Sequence, residues 1–149
     1  MTIRHVETIV FVHDVPRSTA FYRDVLGQSV VQDYGTIVMF EHGFSIHDGV
    51  NLLEKTYKKP GAFAAGPQGR DNLDIYFEAE DLEAAFRAVT DSGVEMIHPI
   101  ETQPWGQRVF RFHDPDGHIV EPATRNDCAP AARRERIATP RRSLVVTVA

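Results

Sequence analysis

The chain predicts an α+β fold: two β-α-β-β-β units forming curved, barrel-like mixed sheets with helices outside. The first observation is a repeat. Val6-Glu7-Thr8-Ile9-Val10-Phe11-Val12-His13-Asp14-Val15 recurs as Leu73-Asp74-Ile75-Tyr76-Phe77-Glu78-Ala79-Glu80-Asp81-Leu82, an apolar run opening into a helix with an acid in second place. Each copy is then followed by a helical pattern that stops at a glycine, Gly27 or Gly93. Short strand patterns and a tight turn containing Asp or Gly complete each unit.

Over residues 5–12, Val6, Thr8, Val10 and Val12 alternate with Glu7, Ile9 and Phe11, the period of a half-buried strand. Asp14 or Ser18 offers a helix cap, and Phe21, Tyr22, Val25 and Leu26 follow at helical spacing. Three short strands are expected at 29–34, 36–40 and 44–47. The second unit repeats the order with a strand at 73–79, a helix at 82–92, and strands at 95–100, 107–113 and 118–121. Unit 1 thus spans about 3–54 and unit 2 73–123, within one domain at 1–123. The connector at 55–72, broken by Pro60, Gly61, Gly66, Pro67 and Gly69, is long enough to suggest a flap over a site.

With 149 residues, 42% of them hydrophobic, the chain has enough apolar material for one ordinary core. No apolar run approaches the roughly 20 residues that span a bilayer, and no signal-peptide core follows Met1, so a cytoplasmic protein without membrane association is expected. Cys128 is the single cysteine, which excludes an internal disulfide and a thiolate zinc site. Charge is uneven. Residues 1–121 carry a balance of −9 and 122–149 one of +4, together the net −5. An acidic body argues against nucleic acid as a partner, because phosphate neutralisation needs clustered cations. The Arg-rich segment 124–149 reads as a flexible tail, with a strand-like stretch at 143–148.

Four polar residues stand on otherwise apolar strands at places that match between the copies. Glu7 and Asp74 are 67 positions apart, and His47 and Glu121, each near the end of its unit's last strand, are 74 apart. Were these faces to look inward together, one imidazole and three carboxylates would meet, a set suited to a divalent metal. Each residue also has a bland reading: Glu7 paired with an arginine, Asp74 capping a turn near Arg70, His47 hydrogen-bonded beside Asp48. A second cluster surrounds Trp105, the sole tryptophan. With a hairpin closed by residues 114–117, opposed residues would place Phe110 across from Glu121 and Arg108 diagonally on the same face. Arg108 is then a candidate for a substrate carboxylate or phosphate, or for a structural ion pair. Trp105 would stack on a ligand or plug the barrel end, and Tyr76 lies on the Asp74 face. His113 and His118 flank the turn and read as a solvated cross-strand pair.

The repeated unit, His5-Val6-Glu7-Thr8, the helix end Phe21-Tyr22-Arg23-Asp24-Val25-Leu26-Gly27 and Asp114-Pro115-Asp116-Gly117-His118-Ile119-Val120-Glu121 resemble the vicinal oxygen chelate superfamily. That superfamily includes glyoxalase I, bleomycin-resistance proteins and extradiol dioxygenases. The resemblance, over about 3–123, implies a metal set of Glu7, His47, Asp74 and Glu121 holding Zn, Ni, Mn, Fe or Co. It implies a lyase or isomerase of the glyoxalase I type, in which the ion stabilises an enediolate of a small vicinal-oxygen substrate and Glu121 or Glu7 moves the proton. Behind that reading it leaves two alternatives: first a metal-free drug- or antibiotic-binding protein of the same fold, then a structural subunit or regulator that has lost catalysis. A homodimer is expected, because units from different subunits pair in this superfamily.

Overall fold

A computed structural model describes residues 1–125. The Arg-rich tail, Cys128 and the strand-like stretch at 143–148 lie outside the described residues, except for the tail's first two positions. Unit 1 runs β1 (Thr8–Val12), α1 (Val15–Ala20), β2 (Val30–Asp33), β3 (Ile37–Phe40), β4 (Phe44–Asp48) and α2 (Gly49–Tyr57). Unit 2 runs β5 (Asp74–Glu78), α3 (Leu82–Asp91), β6 (Met96–Thr102), β7 (Arg108–His113) and β8 (Ile119–Ala123). The strands form two curved four-stranded sheets, ordered β1-β4-β3-β2 and β5-β8-β7-β6. In each, the first strand lies parallel to the last and the other pairs are antiparallel. The expected repeat is therefore the architecture.

Each crossover helix starts in the same way. Asp14 and Asp81 have nearly identical backbone angles, φ −124° and −123° with ψ 95° in both, and each carboxylate accepts the N–H three residues on. A side-chain acceptor there satisfies an N–H that the first helical turn leaves orphaned. After Ala20, α1 widens into a π-helical turn over Phe21–Val25, and Gly27 ends it at φ 66°. Gly93 ends the run after α3 at φ 77°. The sequence reading missed α2, which occupies 49–57 where the connector was expected from 55. Asp48 caps it through the N–H of Asn51, and the left-handed Lys58 stops it.

Alternation divides every strand between two faces. Val10, Val12, Val38 and Ile46 of the first sheet, and Ile75, Phe112 and Val120 of the second, turn toward the helices and form one core. Tyr22 is fully buried at its centre, with its ring 4.8 Å from Phe44 and 6.4 Å from Phe77. Phe21 reaches Phe112 at 5.9 Å, so the helix of unit 1 packs on strands of unit 2. Burying each of these rings contributes about 2 kcal/mol.

The turn between β7 and β8 fixes both the register and the junction of the units. Asp114 N–H donates to His118 O, and Gly117 sits at φ 83°, a three-residue connection rather than the two-residue one expected. Asp114 accepts the Tyr22 hydroxyl at 2.7 Å and the N–H groups of Asp116 and His118 at 2.9 Å. Asp116 Oδ1 accepts the N–H groups of His13 and Gln68. A Cβ on Gly69 would stand 2.0 Å from Gly117 O, so only glycine lets the connector lie on this turn. His118 is 6% exposed and its Nδ1 is 3.2 Å from Asp114. It is a buried partner of that carboxylate, which corrects the expectation of a solvated pair with His113.

Candidate functional site

The faces turned away from the helices carry the candidate residues. On the first sheet, β1 presents Ile9 and Phe11 opposite Ser45 and His47 of β4. Glu7, just before β1, accepts the Ser45 hydroxyl at 2.7 Å. His47 Nδ1 lies 2.8 Å from Asp48 O, so that nitrogen carries the proton and donates to the carbonyl.

On the second sheet one row crosses all four strands. Tyr76 of β5 pairs with Glu121 of β8. The pairs Val109 with Ala123 and Phe112 with Val120 bracket Glu121 opposite Arg111 of β7, and Arg111 pairs with His98 of β6. The Arg111 guanidinium makes an ion pair with Glu121 through Nη2, reaches His98 Nε2 at 3.1 Å, and holds Nε 3.9 Å from Asp74. Glu121 is nearly buried, whereas the Asp74 side chain is 44% exposed. Partial burial, and then the neighbouring Glu121 charge, raise the Asp74 carboxyl above its ordinary range, and Arg111 offsets only part of that rise.

Gln107 closes the end of the row. Its Nε2 donates to the Tyr76 hydroxyl and to Thr124 O, both at 2.8 Å, while its Oε1 accepts the Trp105 indole N–H at 2.9 Å. Trp105 stays 58% exposed. The structure thus brings Trp105, Tyr76, Glu121 and Asp74 to one face, with Arg111, His98 and Gln107, which sequence reasoning missed.

Arg108 is not on this face. The three-residue turn shifts the pairing by one residue, and a one-residue shift turns every side chain to the other side. Arg108 therefore points to the helix side, where it meets Glu83 of α3 at 2.7 Å. The signal for Arg111 was present as a lone cation between two core rings, Phe110 and Phe112.

The register also refines the match between units. The helix caps Asp14 and Asp81 confirm the 67-residue offset that equates Glu7 with Asp74. At that offset Ile9 matches Tyr76, and their partners Ser45 and Glu121 match each other. His47 lies two residues farther along, at the place of Ala123 in unit 2.

Among the described residues, no three His, Cys, Asp or Glu side chains gather closely enough to hold a metal ion. Glu7 is engaged by Ser45, and Glu121 by a guanidinium that sits between it and Asp74. The four-residue set does not fit a divalent ion within one chain, because the cation that would compensate the carboxylates of unit 2 is already Arg111. Two surface cavities, of about 260 and 400 Å³, lie elsewhere, one beside α1 and Asp33 and one between α2 and Pro60. No helix among the described residues is long and apolar enough to cross a membrane.

Comparison with known proteins places this geometry in a family. The glyoxalase-like domain profile matches residues 5–124. A protein of unknown function from Agrobacterium tumefaciens has a crystal structure with TM-score 0.77 and 45% identity, covering 85% of this chain and 97% of its own. A lactoylglutathione lyase from the same organism shares the fold at 22% identity and TM-score 0.59, with 83% and 94% covered. The uncharacterised protein YraH of Bacillus subtilis is 23% identical over 118 residues, which are 75% of this chain and 91% of YraH. With its paired units, mixed sheets and this match over most of its length, the chain belongs to the glyoxalase-like domain family of the vicinal oxygen chelate superfamily.

Proposed function

We propose that the protein binds a small molecule on the open face of its second sheet and does so without a metal ion, as a cytoplasmic, homodimeric member of its family. The observation that carries this reading is the ion pair between Arg111 and Glu121, which compensates inside the chain the carboxylate that the superfamily resemblance assigns to a metal. Arg111, Glu121 and Asp74 together leave one formal negative charge with His98 neutral. Neutral or cationic ligands are favoured there over anions. Trp105 and Tyr76, tied through Gln107, supply an aromatic border on which a flat or cationic group can rest.

Protein purified without a histidine tag tests this. Elemental analysis is expected to find far less than one divalent ion per chain. Trp105, the only indole, is expected to change its fluorescence with small amines or neutral polar aromatics and not with simple carboxylates. A stoichiometric, tightly held metal would overturn the reading.

The metal-dependent lyase or isomerase is the second reading. It is supported by Glu7 and His47, which share the open face of the first sheet and which a partner copy could bring to Asp74 and Glu121. That arrangement would have to move Arg111 off Glu121. It would show as metal content that falls as the protein is diluted into monomers.

A further inference from the structure

We propose that the ligand of this face is an arylalkylamine, with its protonated nitrogen held by the Asp74 carboxylate and its ring by the border of Tyr76 and Trp105. The inference rests on the metal-independent binding reading and names the class of molecule which that reading leaves open.

The two carboxylates of the row are in different states. Glu121 is nearly buried, and its charge is taken up by the Arg111 guanidinium through Nη2. Asp74 meets Arg111 at 3.9 Å, beyond hydrogen-bond length, and its side chain is 44% exposed. Among the described residues nothing donates a hydrogen bond to the Asp74 carboxylate. By contrast Asp14, Asp48, Asp81, Asp114 and Asp116 each accept a backbone N–H.

Partial burial and the neighbouring Glu121 charge both disfavour the ionised form of Asp74, and Arg111 offsets only part of that. The uncompensated negative potential of the row therefore lies at Asp74 rather than at Glu121. A primary ammonium supplies what is missing there, a positive charge together with several N–H donors. A carboxylate ligand would meet the same potential with the wrong sign.

The strand order leaves room for such a nitrogen. β5 is the outer strand of its sheet, so β8 and Arg111 approach Asp74 from one side, and among the described residues the other side faces no strand. A ligand can thus reach the carboxylate without displacing Arg111. Tyr76 follows two residues along β5, and side chains at that spacing share a face about 7 Å apart. Its hydroxyl accepts from Gln107, which in turn accepts the Trp105 indole N–H, so phenol and indole are held as one border. A cation site and an aromatic border at this separation suit a nitrogen joined to a ring by a short alkyl chain.

Calorimetric titration of the full chain with 2-phenylethylamine, 2-phenylethanol and butylamine tests this. Wild type is expected to bind 2-phenylethylamine about tenfold more tightly than the alcohol, which lacks the charge, or butylamine, which lacks the ring. Asp74→Asn should lose the preference for the amine and keep its affinity for 2-phenylethanol, and Asp74→Ala should do the same. Glu83→Gln, which removes an exposed carboxylate from the helix side, should retain the full preference. If wild type binds amine and alcohol alike, or if the Asp74 variants keep the preference, or if Glu83→Gln loses it, the inference is overturned while metal-independent binding stands. Absence of saturable binding of all three probes also overturns it. Stoichiometric metal in wild type overturns the underlying reading and this inference with it. Failure of both Asp74 variants to fold would overturn it as well, because the carboxylate would then serve the fold.

Discussion

The two units share one sheet topology and differ in the surfaces it carries. Across the open face of the first sheet, the matched row is Ile9, Ser45, Met39 and Gln32. Across the second it is Tyr76, Glu121, Arg111 and His98. Helix caps, parallel first-to-last strand pairing and terminal glycines coincide, so the fold places no demand on what this row contains. Only one row carries ionised groups. The scaffold is present twice, and the charged row is found on one copy of it.

The largest effect is expected where the copies cease to be independent. Asp114 of unit 2 accepts the buried Tyr22 hydroxyl of unit 1, and its loss would strand that hydroxyl together with two N–H groups and His118. Asp114→Ala should lower stability by on the order of 3 kcal/mol in chemical denaturation. A two-step unfolding curve with one unit unaffected would instead show that the units stand alone. Burial by itself would raise the Asp114 carboxyl, but the donors His118 and Tyr22 outweigh it and hold the group below the ordinary aspartate value. A folded-state pKa below the unfolded one means that this stabilisation is complete above about pH 4, the unfolded value, and is lost as pH falls through the lowered one. Asp114→Asn should flatten that part of the acid-denaturation profile.

The α+β class, the two units and the helix stops at Gly27 and Gly93 were legible because period and glycine placement are local signals. The membership of the open face was legible only in part. Tyr76, Asp74 and Glu121 follow from alternation within single strands, and alternation survives in the sequence. Arg111 and His98 depend on pairing between strands: Arg111 on whether 114–118 encloses two residues or three, and His98 on the register shifts of β6 against β7. That difference of one residue moved the candidate cation from Arg108 to Arg111. Helix α2 was hidden by the breakers just beyond it, although Asp48 was a visible cap.

A middle-sized effect is expected from Glu121→Gln, which sharpens the contrast between the rows. It leaves Arg111 with Asp74 at 3.9 Å and the neutral His98, at a cost of about 2 kcal/mol in stability. The change should also alter the Trp105 fluorescence response to ligands, because Tyr76 pairs directly with Glu121 and reaches Trp105 through Gln107. An unchanged response would move the ligand off this row.

The smallest effect belongs to the matching residue of the quiet unit. Ser45 is fully buried and gives its hydroxyl to Glu7, so Ser45→Ala removes one charge-assisted hydrogen bond and leaves no large cavity. A loss of about 1 kcal/mol is expected in denaturant melts, with the Trp105 response to ligand the same as in wild type. Because Ser45 and Glu121 occupy equivalent places, the pair of substitutions compares the two faces with the backbone held constant. Should Ser45→Ala change ligand response as much as Glu121→Gln does, the first face would be part of the site. The partner-copy arrangement that joins Glu7 and His47 to the acids of unit 2 would then gain over the single-face site.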